Sequence, residues 1–141
     1  MSATAGGDTT HTVGEKLGLK KGMLVQELGW DEDVDDGVRR EVEDAIDADM
    51  IDGGDGSVVD VVLMWWRDGD GDLVDDLVDA LTDLGEGGAV WLVTPKVGRP
   101  GAVDHADITE AAPVAGLSTT STVVVSDGWS ATCLVAPKQG R

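Results

Sequence analysis

Carboxylates dominate the residues of this chain that could do chemistry, and two of their settings are ones that chemistry uses. Asp68-Gly69-Asp70-Gly71-Asp72, with Asp76 and Asp79 beyond, places oxygen ligands at positions 1, 3, 5, 9 and 12 of a calcium loop. Position 6 of that loop must turn sharply and holds Leu73 instead of glycine, so the segment reads as a turn followed by a helix cap. No metal site is expected. Asp60 interrupts the most apolar run, Val58 to Trp66. A carboxylate buried there could serve as general acid or base. An Asp near a strand's start, bonded to a neighbouring backbone amide, is the simpler expectation. His11 and His105 differ too much in setting to pair on a metal. The single Cys133 has no internal disulfide partner, and its neighbours Thr132 and Leu134-Val135 place it in a strand. There is no nucleophile elbow, no Cys–His pairing and no phosphate loop, so no catalytic residue is assigned.

A second constellation is aromatic. The chain has five Trp and neither Phe nor Tyr, so each indole needs a physical account. Trp30, Trp66 and Lys96 each follow a strand-like run, which puts them at the carboxyl edge of a parallel sheet. Loops diverge at that edge and leave the crevice where ligands bind. Trp30, Trp66, Arg67, Thr94 and Lys96 are therefore the candidate partner- or ligand-binding residues. Asp31, Asp33, Asp35 and Asp36, directly after Trp30, are the candidate acidic interaction face. Trp65 and Trp66 are adjacent on a strand and point to opposite faces. One is expected in the core and the other near the crevice or an interface.

The elements that would position these residues follow from periodicity. Residues 1–12 are rich in Gly, Thr and Ala and are expected to form a disordered tail, with one domain over 13–138. A short helix or turn over 13–19 precedes a strand over 23–28. Asp31 to Asp33 then cap a helix over about 34–48, with Val34, Val38, Val42, Ala45 and Ile46 on one face. A brief strand at best over 48–51 leads to a glycine loop over 52–57. A central strand over 58–66 follows, near-continuous in apolar residues as a strand covered on both faces should be. Asp72 caps a helix over 73–84, Gly85 to Gly88 end it, and 89–94 form another buried strand. A helix over about 104–115 contains Pro113 late and stops at Gly116. Ser121–Ser126 and Trp129–Ala136 flank Asp127-Gly128, the signal of a two-residue hairpin. The order predicts an α/β, Rossmann-like, mostly parallel sheet with helices on both faces and a C-terminal antiparallel hairpin.

Charge narrows the partners. The net charge of −18 lies in residues 31–86, which hold 21 acids against Arg39, Arg40 and Arg67. Such a surface repels phosphate backbones, so no direct nucleic-acid binding is expected. It suits solubility or salt tolerance, or a basic protein partner. No signal peptide and no membrane-length apolar run are present, so a cytoplasmic protein is expected. The shortage of Phe, Tyr, Asn, Ile and Lys, whose codons are AT-rich, agrees with a GC-rich genome.

Two stretches carry a resemblance. LGLKKGMLVQELGW resembles the approach to the first strand of class I methyltransferases, and GEGGAVWLVTPK resembles their glycine turn and the strand after it. The antiparallel hairpin at the end is also similar. QELGWDEDVDD, LMWWRDGDGDLVDDLVDAL, WLVTPK and the closing WSAT-LVAPK pattern further resemble an actinobacterial family, domain of unknown function 3052. That resemblance covers nearly everything after residue 13. It implies a trimmed methyltransferase-like fold and no established activity. The methyltransferase pattern would give Glu27 and Gly29 to the cofactor, but Trp30 and Asp31 stand where its second glycine belongs. An acidic residue closing the second strand, Asp49 or Asp52, is in range of a ribose. A dinucleotide would set its pyrophosphate against Asp31, Asp33 and Asp35. No cofactor is therefore expected. The reading is a non-catalytic regulatory or protein-interaction domain; the alternative is a degenerate S-adenosylmethionine-dependent small-molecule methyltransferase.

Overall fold

The computed structural model describes residues 12–52 and 57–136. Three strands, β1 (Val25–Leu28), β2 (Val59–Trp65) and β3 (Leu84–Pro95), run parallel. Two more, β4 (Ser118–Val124) and β5 (Trp129–Val135), form a hairpin whose β5 pairs antiparallel with β3, giving the order β1-β2-β3-β5-β4. Helices α1 (Val13–Lys16) and α2 (Asp36–Ile46) contribute to the core on one face of the sheet, α3 (Leu73–Ala80) and α4 (His105–Val114) to the core on the other. The α/β architecture expected from the sequence is thus present. No helix among the described residues is long and apolar enough to cross a membrane.

The alternation of β2 explains how one strand serves both layers. Val61, Leu63 and Trp65 pack against α2, while Val62, Met64 and Trp66 pack towards α3 and α4. Val59 joins the second set because the strand bulges at Asp60: the Asp60 and Val61 N–H groups both donate to the Leu24 carbonyl, at 2.8 and 3.3 Å. The Asp60 side chain is exposed and accepts from the Leu24 N–H at 2.8 Å. It ties two strands together at their entry, as the simpler expectation had it.

Several boundaries move. Thr12, placed in the tail, is the N-cap of α1 within a capping box with Glu15; the rest of the expected tail lies outside the described residues, as does most of the 52–57 loop. The cap of α2 is Asp35 instead of Asp31 to Asp33, because its carboxylate accepts from the Gly37 and Val38 N–H groups. The brief strand after α2 is a single bridge, Gln26 to Ile51. Helix α3, capped by Asp72 as expected, ends at Ala80, and 84–88 join β3. Glycine permits this: a Cβ on Gly88 would lie 2.7 Å from the Asp60 carbonyl oxygen. The hairpin connection is longer than two residues, since the Val125 N–H reaches the Trp129 carbonyl across Ser126-Asp127-Gly128.

Asp60→Ala should lower the unfolding free energy by about 1 kcal/mol without changing the urea slope, because one hydrogen bond to a charged acceptor at an exposed position is lost. Equilibrium urea unfolding followed by Trp fluorescence measures it. An unchanged midpoint would remove the side chain from the account of the bulge.

Candidate functional site

The carboxyl edge of β1 and β2 is closed by its own backbone. Gly29 has φ +76°, and a Cβ there would run into the Trp65 carbonyl oxygen. Glycine at 29 is thus needed for the close approach of β1's end to β2. Beneath it, Glu27 is buried and accepts from Arg39 twice, from Nε at 2.7 Å and from Nη2 at 2.8 Å. The same carboxylate accepts from the Trp65 indole N–H at 2.8 Å. Hydrogen bonding to Glu27 raises the pKa of Arg39 above the usual guanidinium value, although partial burial works against it.

Trp65 is 0% exposed and meets Trp129 edge to face, with ring centroids 5.0 Å apart. Arg67 lies over Trp129, its guanidinium carbon 5.6 Å from the ring centroid. Its side chain donates to Asp33 (Nε to Oδ2, 3.0 Å), to the Gly29 carbonyl (2.8 Å) and to Asp70 (3.3 Å). One cation therefore gathers the loop after β1, the turn after β2 and the start of β5. Burial opposes the charge on Arg67, and the bonds to Asp33 and Asp70 outweigh it and raise its pKa. Its hydrogen bond to Asp33 in turn holds that carboxyl below the usual value of 3.8.

The acidic face is consequently of two kinds. Asp33 pairs with Arg67 and Asp35 caps α2. Asp31 and Asp36 are exposed, with Asp31 bonded to the adjacent Glu32 N–H. The carboxylates of the calcium-like loop also have structural tasks. Asp70 binds Arg67, Asp72 caps α3, and Asp76 accepts the Trp66 indole N–H at 2.8 Å. Among the described residues, no group of three or more His, Cys, Asp or Glu is placed to hold a metal ion.

The five aromatic, basic and hydroxyl candidates separate into two cavities. Trp30, Trp66 and Arg67 line a groove of about 410 Å³ with Asp31, Met64, Asp70, Asp76 and Asp79. Trp30 is 55% exposed. Trp66 is only 6% exposed, so both adjacent indoles are buried, on opposite faces, yet Trp66 lines the groove, near the crevice where one of the pair was expected. Strand alternation and the two-sided helical cover give each ring its own core. Thr94 and Lys96 instead line a smaller cavity of about 130 Å³ between β3, α4 and the hairpin. Arg39 was not singled out by the sequence reading. Its signal was rarity, for it is one of three basic residues in the acidic half of the chain.

Comparison with solved structures places this architecture. Mitomycin 7-O-methyltransferase superposes with a TM-score of 0.59 at 14% identity, covering 89% of this chain and 53% of that enzyme. A methyltransferase from Streptomyces caelestis gives 0.56 at 10% identity, covering 89% and 88%. A SAM-dependent methyltransferase from Thiobacillus denitrificans, solved with S-adenosyl-L-homocysteine, gives 0.54 at 12% identity, covering 89% of each. The chain spans about half the length of the mitomycin enzyme. At these identities the likeness defines a fold, and that fold is the Rossmann-like one of class I methyltransferases, trimmed here to five strands. The chain belongs to the family described as protein of unknown function (DUF3052), whose sequence model matches residues 14–138. Uncharacterized proteins of Mycobacterium tuberculosis and Mycobacterium bovis are 50% identical over 137 residues, covering 97% of this chain and 86% of theirs.

The Asp33–Arg67 pair generates a prediction with a defined sign. Because Asp33 has its pKa depressed on folding, its contribution is present above the unfolded carboxyl value and lost as pH falls through the lower folded one. The stability gap between the parent and Asp33→Asn should be constant from neutral pH down to about 5, then shrink below about 4. Urea titrations across that range measure it. A gap that widens in acid would contradict the pairing.

Proposed function

We propose that this is a non-catalytic interaction domain that receives a basic segment of a partner protein in the groove beside Trp30. The observation that carries the reading is the pairing of an exposed indole with an acidic rim in one cavity: Trp30 at 55% exposure, with Asp31, Asp70, Asp76 and Asp79 around it. An indole face and carboxylates favour a Lys or Arg side chain, the first through cation–π attraction and the second through charge-assisted hydrogen bonds. The surrounding charge of −18 would speed encounter with a basic partner.

The fold's likeness to methyltransferases favours a second reading, binding of S-adenosylmethionine. The residues at this edge do not fit that group well. Gly29, the glycine that could let a cofactor approach the backbone, is pressed against Trp65, and Glu27 is already committed to Arg39 and Trp65. Asp31, exposed beside Trp30, would face the cofactor's own carboxylate. No catalytic step is derived through it.

Titration of the intact chain with a short Lys- and Arg-rich peptide, against an acidic peptide of the same length, tests the proposal. Trp30→Ala should weaken the basic peptide at least about ten-fold while leaving the melting temperature unchanged, and added salt should weaken it further. Equal affinity for the acidic peptide, or for Trp30→Ala, would overturn the reading.

A further inference from the structure

The smaller cavity has a chemistry opposite to the rest of this acidic chain. Lys96 leaves the end of β3 half-buried and makes no ion pair and no side-chain hydrogen bond among the described residues. Thr94, two residues earlier, is 5% exposed, lines the same cavity, and its hydroxyl has no hydrogen-bond partner among the described residues. Neither polar group is tied up among the described residues, so the hydroxyl and the ammonium are both available to a ligand in the cavity. Thr122 and Thr132, bonded to each other at 3.3 Å, line it on the hairpin side. Val103 and Ile108 supply an apolar wall from the loop before α4 and from α4 itself. Asp104, the N-cap of α4, spends its carboxylate on the Ala106 N–H at 3.1 Å.

We propose that this cavity binds a short aliphatic carboxylate, with its oxygens on Lys96 and Thr94 and its hydrocarbon end against Val103 and Ile108. Size and polarity set the class. A volume of about 130 Å³ holds roughly four waters, which matches an acid of a few carbons and is small for a nucleotide. The apolar wall favours a carboxylic acid over inorganic phosphate, which would leave that wall against a fully hydrated ion. The site is separate from the Trp30 groove, so each can fail without the other.

Isobutyrate, isobutyramide and inorganic phosphate, titrated separately into the intact chain and followed by amide chemical shifts, test it. Isobutyrate should give saturable shifts at Thr94, Lys96 and Val97 and at residues 105–108. Neutral isobutyramide should give none, and phosphate none beyond the effect of ionic strength. Lys96→Met keeps the apolar stem and should weaken isobutyrate at least about ten-fold at an unchanged melting temperature. Thr94→Val, of the same shape, should also weaken it. No saturable shift with isobutyrate, an equal response to the amide or to phosphate, or undiminished binding by Lys96→Met would overturn the proposal.

Discussion

Arg67 joins segments of the molecule that the backbone does not connect. Its guanidinium covers the Trp129 ring, binds the Gly29 carbonyl, and pairs with Asp33 and Asp70. Remove that charge and the loop after β1 loses its anchor, the turn after β2 loses its partner, and Trp129 loses its cover. Arg39 acts in the same way at a deeper layer, neutralising Glu27 so that its carboxylate can take the Trp65 indole. A chain of −18 can keep a buried carboxylate only where a cation meets it with good geometry, since an unpaired buried charge is strongly destabilising. Of the three Arg in the acidic segment, Arg39 is placed there, while Arg67 pairs with the exposed carboxylates of Asp33 and Asp70.

On the reading proposed here, the fold is kept without the chemistry of its structural neighbours. The methyltransferase-like sheet is retained in its three parallel strands and its closing hairpin. The backbone approach at Gly29, which could admit a cofactor, brings β1 against β2. What remains open beside it is a groove of aromatic and acidic character at Trp30, and across β3 a small cavity with Lys96. The ligands proposed for the two differ in charge and in size.

Much of the fold was legible because apolar spacing is a strong signal. Val38, Val42 and Ile46 announce α2, and the run around Leu63 announces a strand covered on both faces. Asp72 was readable as a cap from its place just before an apolar-periodic run, whereas Asp104, read as helical, proves to be a cap. What depends on distant partners was not legible. The glycines at 85–88 read as a helix stop, yet they allow β3 to begin early against the Asp60 bulge. Asp35 displaced Asp33 as a cap because Asp33 is drawn to Arg67, 34 residues away. The five site candidates follow or close strands, but spacing along the chain could not tell that α4 and the hairpin would give Thr94 and Lys96 a cavity of their own.

The central claim is that Glu27 and Gly29 serve closure of the sheet edge and hold no cofactor. Calorimetric titration of the intact chain with S-adenosylhomocysteine, with amide shifts followed in parallel, tests it most directly. The account predicts no saturable heat and no shift at Glu27, Gly29 or the Trp65 indole. Saturable heat with shifts at those three positions would contradict it.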